Sequence, residues 1–498
     1  MGEGAMVAAT AAGAEPAACL QDPPRGSTAA RWRARLALGV LLAGPFMAVM
    51  DVFVVNVAVP TIRRDLGASY AEAELVIAGY AFAYALALIT GGRLGDIHGR
   101  RRVFGIGLTA FTLTSGLCGL ATSPLLLVGA RLLQGTAAAL LFPQAFALIR
   151  VAFPTDRERA RAFGAVGVTL GLAAIAGQIL GGVLVEADLW GLAWRLIFLI
   201  NLPVGLAAAL ALPRLVAESR SPEARRLDLA GVGLGALALG LLLYPLIEGR
   251  EAGWPGWAWA MLAAAPAAFA VFARHQHGKS RGGGAPLLPT GLFRNRAFLV
   301  GLLVSLLFYS TLNSFYLAFA FLIQQGLGRS PVTAGLLLTA VGIPFMTSSL
   351  LAGRLPAARR RGGLIAGAAL SAVACLAAAA VARLAVPLTP AELVPAFVLL
   401  GLGNGFVIGP LLNTVLGAIP EDDIGSASGV IATMQQTGGA LGIALVGLLF
   451  FGILGSARAT GLAPAEAYGQ GFAAAAAYAA AGNLVTFCLL FLLPRHRP

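Results

Sequence analysis

Long apolar runs alternate with short breaks that carry arginine along most of this chain. A helix needs roughly 20 apolar residues to cross the hydrocarbon core of a bilayer. Fourteen stretches approach that length: 36–60, 75–94, 103–122, 125–151, 163–185, 194–213, 228–248, 257–273, 298–323, 332–356, 363–385, 392–417, 427–453 and 470–494. The pattern predicts an all-α membrane protein. The breaks also orient it. With the N-terminus in the cytoplasm and the spans alternating, the outer segments hold Arg63, Arg64, Arg195, Arg250, Arg329, Arg383 and Arg458. Arg131 falls inside a span, and every other basic residue faces inward. Cytoplasmic loops carry this excess of arginine and lysine, so both termini are expected inside. Glu421, Asp422 and Asp423 face inward without a basic partner, but acidic residues weigh little in topology.

The pattern echoes itself. Gly92-Arg93-Leu94 and Arg100-Arg101-Arg102 follow the second span; Gly353-Arg354-Leu355 and Arg359-Arg360-Arg361 follow the tenth. Such an echo suggests duplication of a six-helix block. The expected organisation is a disordered cytoplasmic tail (1–35), an N-terminal six-helix bundle (36–213), two inserted helices with cytoplasmic linkers (214–297), a C-terminal six-helix bundle (298–494) and a short cytoplasmic tail (495–498). Gly282–Gly284 read as a flexible inner loop.

Composition agrees. Of 498 residues 58% are hydrophobic and only 11% charged, against about 25% charged in soluble domains. Small residues abound, including 64 glycines, which lets helices approach closely in lipid. The net charge of +13 would suit nucleic acid if it formed a patch, but it is divided among the breaks, so no nucleic-acid partner is expected. Cys19, Cys118, Cys375 and Cys488 are isolated, giving neither a disulfide framework nor metal spacing. The first thirty or so residues lack the shape of a signal peptide, being interrupted by Glu3, Glu15 and Asp22.

Ionisable residues inside a membrane are costly and mark function. Asp51 lies nine residues before Pro60 in the first span, ~14 Å below its outer end. Arg131 lies about 10 Å below the same face in the fourth. At similar depth the two can pair, either as a proton site in which Asp51 loads and releases H⁺ and Arg131 tunes it, or as a static structural pair. Gly92, Arg93, Asp96, Gly99, Arg100 and Arg101 form a tight inner turn. It reads as a gate that is shut by ion pairs and broken on opening, or as a plain positive loop. In the fifth span Gly177, Gln178, Gly181 and Gly182 suit close packing and a bend. Asn56, Gln134, Tyr309, Asn313, Tyr316, Asn404 and Gln435 sit near mid-membrane and either line a substrate cavity or bond helices together. No nucleotide loop or set of nucleophile, base and metal ligand can be assembled, so an enzyme is not expected.

Met50 to Pro60, Gly92 to Arg102, the set Arg131, Gln134 and Gly135, and Trp194 to Gly205 occur in the order seen in a known group. Residues 36–494 resemble the fourteen-helix drug:proton antiporters of the major facilitator superfamily. The resemblance implies a major-facilitator fold: 14 transmembrane helices as two six-helix bundles plus two central helices. It implies proton-driven export of an amphipathic drug or toxic compound by alternating access, with no cofactor beyond the proton gradient. The protein is expected in the bacterial cell membrane, acting as a monomer in contact with lipid, substrate and protons. Three departures stand out: Phe53 where the group has Thr, Ile97 where the inner loop has Arg, and Gln178 where the fifth-helix antiporter motif has Pro. The last leaves open uptake, or transport of one metabolite such as an amino acid or siderophore. A non-transporting membrane sensor is a further alternative.

Overall fold

The computed structural model describes residues 28–153, 155–220, 227–284, 286–288, 290–385, 387–416, 419 and 424–493. Residues 1–27, the acidic run 421–423 and the tail 495–498 lie outside the described residues. The described chain is built of long helices. We number them α1 (Thr28–Leu66), α2 (Tyr70–His98), α3 (Arg100–Gly119), α4 (Pro124–Ala152), α5 (Asp156–Ala187), α6 (Ala193–Leu215), α7 (Leu229–Glu248) and α8 (Gly256–Arg281). There follow α9 (Arg296–Phe321), α10 (Pro331–Gly353), α11 (Ala357–Leu384), α12 (Val394–Leu416), α13 (Ile424–Ala459) and α14 (Pro464–Leu490). Among the described residues thirteen helices are long and apolar enough to cross a membrane. The fourteenth, α3, opens on three arginines and is not among them.

Each expected span is recovered, and several helices run past the apolar limits. α1 starts at Thr28, inside the stretch expected to be a disordered tail, because a helix continues into the headgroup region where its arginines are solvated. α2 starts at Tyr70 rather than 75, set by a capping box. Ser69 accepts from the Glu72 amide, and Glu72 accepts from the Ser69 amide at 2.8 Å. Ser123, Thr155 and Ser330 cap α4, α5 and α10 by accepting from the amides of Leu126, Glu158 and Thr333. Leu113, Leu172, Leu210, Leu336 and Leu376 stand exposed on the flanks, as side chains facing lipid do.

The duplication is visible in the packing. Among the first six helices the main pairs are α1–α5, α2–α4, α3–α4 and α3–α6; among the last six they are α9–α13, α10–α12, α11–α12 and α11–α14. Adding eight to each number converts one set into the other. Two seams join the bundles, α2 against α13 and α5 against α10, and the same shift exchanges them. The inserted pair is asymmetric: α7 packs against α8, α2 and α13. On α8 only Ala258, Ala265 and Gln276 are buried.

Asp228, which caps α7, fixes this insert. It accepts from Lys279 Nζ (2.8 Å), Gln276 Nε2 (2.9 Å) and the amides of Gly231 (3.0 Å) and Leu287 (3.2 Å), and sits 3.0 Å from His275 Nε2. Burial alone would raise its pKa. The hydrogen bonds from Lys279, His275, Gln276 and Gly231 outweigh that and hold the carboxyl well below the usual carboxylate range. The two ends of the molecule differ. At the end bearing Arg100 a cleft of about 750 Å³ opens between the bundles, lined by Arg100, Ala147, Arg150, Phe163, Asn413 and Leu416 among others. At the opposite end the bundles are closed on each other.

Candidate functional site

Asp51 on α1 and Arg131 on α4 meet, both fully buried. Arg131 Nη1 donates to Asp51 Oδ2 and, at 2.8 Å, to Gln134 Oε1. Gln134 Nε2 closes the ring by donating to Asp51 Oδ1 at 2.9 Å. Arg131 Nε donates to the Val76 carbonyl of α2 at 2.9 Å. The guanidinium lies 4.3 Å from the Tyr80 ring centroid and 5.8 Å from that of Phe198, an arrangement that favours a cation. Cys118 Sγ reaches Gln134 Oε1 at 3.4 Å. Five helices of the first bundle thus converge on one ion pair.

Glycines permit that convergence. A Cβ at Gly135 would overlap the Tyr80 carbonyl, so α4 rests on the α2 backbone. Gly177 meets the Met50 carbonyl and Gly181 the Val54 carbonyl, closing α5 over α1 on either side of Asp51. The next face of α5 does different work. Gly182 abuts Pro331 and Val332 of the other bundle, and the Gln178 carbonyl rests on Gly335 of α10. The side-chain Oε1 of Gln178 is buried with no hydrogen-bond partner. The fifth-helix motif therefore serves two interfaces at once.

The inner turn is paired with its own bundle and with the linkers that flank the inserted helices. Arg100 donates to Asp96 through Nε (3.1 Å) and Nη2 (2.9 Å), and its amide donates to the Ser219 carbonyl at 2.8 Å. The amides of Arg101 and Arg102 donate to the two oxygens of Glu218. Gly99 has φ of 104° and lies against that carboxylate. Arg93 donates to the Pro286 carbonyl. Gly92 sits over Pro143 of α4. Among the described residues the partners of Asp96, Arg100 and Arg101 all belong to this bundle or to the segment after α6. The Asp96–Arg100 pair, expected to break when the gate opens, is intact here beside the cleft.

The mid-membrane positions separate. Gln134 belongs to the ion-pair network and is no cavity wall. Asn404 accepts from Ser371 Oγ at 3.1 Å and joins α12 to α11. Asn56 is buried with neither amide atom bonded. Tyr316 is buried edge-on to Phe53 of α1, 5.8 Å between centroids. Tyr309, Asn313 and Gln435 are half-buried on α9 and α13, and of the set they best fit a surface facing the space between the bundles.

Two features escaped the sequence reading. At the closed end α9 finishes in a π-helical turn, Leu322–Gly326, which aims consecutive glutamines across the bundles. Gln324 Nε2 donates to the Val57 carbonyl at 2.6 Å and Gln325 Nε2 to the Pro60 carbonyl at 3.4 Å. Tyr468 donates to Gln325 Oε1 at 2.6 Å and lies 3.2 Å from Tyr70 Oη. Two adjacent glutamines at the end of an apolar span were the available signal. The second feature is Glu74, a buried acid on α2 just before the expected start of the span.

Two similar bundles around a cleft, one of them holding a buried ion pair, define a two-bundle membrane transporter. The chain belongs to the Major Facilitator Superfamily, whose sequence profile matches residues 41–231 and 214–443; it is a multi-pass membrane protein and not an enzyme. It is 40% identical over 433 residues to the probable actinorhodin transporter of Streptomyces coelicolor, covering 86% of this chain and 74% of that one. To the puromycin resistance protein of Streptomyces alboniger it is 36% identical, covering 96% and 93%. To the tetracenomycin C resistance and export protein of Streptomyces glaucescens it is 32% identical, covering 87% and 79%. In fold it matches a bacterial homologue of the human lysosomal transporter Spinster, solved inward-facing and unoccupied, with a TM-score of 0.66 at 18% identity, covering 94% and 98%.

Proposed function

We propose that this protein exports an amphipathic, antibiotic-like compound from the bacterial cytoplasm in exchange for inward-moving protons, as a monomer and without a cofactor. The arginine-rich end faces the cytoplasm, so the open cleft is an inward-facing mouth. Support for export comes from relatives named for antibiotic resistance and export. Support for proton coupling comes from one observation: Asp51 is fully buried and held by Arg131 and Gln134. A proton arriving on Asp51 removes its charge from the pair, while Arg131 keeps Gln134 and the Val76 carbonyl. Protonation thereby loosens α1 from α4 and leaves the guanidinium without its counter-charge, held by neutral acceptors and the Tyr80 and Phe198 rings. Breaking a buried pair from one side costs about 3–5 kcal/mol, enough to bias two conformations strongly.

The test is efflux driven by a pH gradient in proteoliposomes. Asp51→Asn is expected to abolish gradient-driven accumulation while leaving substrate exchange measurable. Gradient-driven transport at the wild-type rate in that variant removes Asp51 from the mechanism. A second reading, export of a single compound, is favoured by the one antibiotic in the name of each relative quoted above. A susceptibility panel on a strain lacking the gene separates the two: one compound changed, or many.

A further inference from the structure

Glu74 lies on α2, 1% exposed, where α2, α7 and α13 meet. Neither carboxyl oxygen has a hydrogen-bond partner. The carboxyl is seated on the backbone of Gly447 in the opposite bundle: a Cβ there would overlap both oxygens. The helices that meet here, α2, α7 and α13, contribute buried apolar residues to one core cluster, among them Ile77, Leu243, Ile247 and Ala444. Charged groups act on it from one side only. Glu248 ends α7, and Arg250 and Glu251 follow it. Arg250 lies over the Phe451 ring, 5.2 Å from its centroid. Glu251 is occupied at the start of α2, accepting from the amides of Tyr70 (2.8 Å) and Ala71 (3.1 Å). On α2 itself Glu72 is taken up in the capping box. The ionisable side chain of α13 is Arg458, which donates to Tyr468 at 3.0 Å. From α4, Arg131 is committed to Asp51, Gln134 and Val76.

An ionised carboxylate without a donor in such a site is strongly disfavoured, and the group neutralises instead. If α13 withdraws, the seat is lost, water reaches the carboxyl, and Arg250, paired here with Glu251 at 3.5 Å, becomes its nearest counter-charge. We propose that Glu74 is a second proton-binding site, and that the α2–α13 seam closes only when Glu74 has taken up a proton. Closing is then coupled to binding of one proton, whatever Asp51 does. Only the side from which that proton comes rests on the orientation proposed above. In that orientation it comes from outside, so an acidic exterior returns the empty transporter to the inward-facing form seen here.

The experiment measures distances between spin labels at exposed Arg64 and Thr460, one on each bundle at the closed end, in lipid nanodiscs without substrate or gradient and with the native cysteines replaced. For the otherwise wild-type chain, a longer component is expected to grow as pH rises from about 5 to about 9, the closed-to-open ratio falling about tenfold per pH unit through the transition. Glu74→Gln, which keeps the shape of the protonated group, is expected to stay closed throughout. Asp51→Asn is expected to keep the transition, so loss of Asp51 coupling and loss of the Glu74 switch read out separately. A wild-type distance that does not change with pH overturns the proposal, as does a Glu74→Gln protein that titrates like the wild type.

Discussion

The two seams between the bundles occupy equivalent places in a duplicated frame, yet they are built from different chemistry. At the α5–α10 seam glycines meet backbone and, at Gly342, an apolar side chain. Gly182 takes Pro331 and Val332, Gly335 takes the Gln178 carbonyl, and Gly342 takes Ile175. Its buried unbonded atom is a neutral amide oxygen. At the α2–α13 seam a glycine instead receives a carboxyl group, and α7 packs alongside. Gly335 and Glu74 are each the fifth residue of their helices, α10 and α2. Among the described residues the α2–α13 seam buries a carboxyl, whereas the carboxylate at the α5–α10 seam, Glu186, is exposed and accepts from the Val332 amide at 3.4 Å. The repeated frame thus carries equivalent seams, and a buried, unpaired carboxyl stands on one of them.

Four changes would break or sharpen that contrast. The largest effect is expected from Gly335→Leu. Its side chain meets backbone that has no rotamer to yield, and overpacking of this kind costs ~1–3 kcal/mol or more. Folded yield and melting temperature in detergent should fall at every pH tested. Asp228→Asn comes next, because it frees the flank that distinguishes the second seam. Hydrogen bonds to a charged group contribute about 1.5–3 kcal/mol. The folded carboxyl lies below its unfolded value, so this stability is present above about pH 4 and is lost as the pH falls through the folded value. The melting gap between wild type and variant should therefore be full at pH 7 and narrow on acidification. A gap that widens in acid contradicts the arrangement around Lys279.

Gly447→Ala is expected to cost about 1–2 kcal/mol, less than Gly335→Leu, because it strikes the end of a movable side chain. Adding Glu74→Ala should recover more than half, a coupling of ~1 kcal/mol in a double-mutant cycle. Additive losses would mean that the two residues do not share the seat. The smallest effect is expected at Gln178→Leu. Removing an amide oxygen that has no partner should be neutral or stabilising by up to about 1 kcal/mol, with no pH dependence. A pH-dependent change there would erase the distinction between the seams.

Much of this was legible in the sequence, for identifiable reasons. Lipid forces every spanning segment to satisfy its backbone internally, so the apolar runs had to be helices and their count could be read directly. An acid and an arginine at similar depth could pair, and Asp51 and Arg131 do. Glu74 was lost to a boundary. Its Ala-Glu-Ala-Glu surroundings look like a polar loop, and what buries it is a glycine in the other bundle. The capping box at Ser69 and Glu72 was the local clue that the helix begins earlier. Gln324 and Gln325 read as a polar edge, because a π-helical turn leaves no periodicity of its own. The inner turn was identified, but its partners at Glu218 and Ser219 come from the segment after α6, which no local pattern connects to it.

The cluster that pins α7 to α8 has a practical corollary. Lys279 is the chain's single lysine, and its ammonium group is engaged by Asp228 with its side chain 28% exposed. The side-chain amine best placed to report on the insert is thus already in position. Its reactivity towards an acylating dye rises when the hairpin lifts and falls when it settles, so nature has supplied one chemical handle where an engineer would have added it.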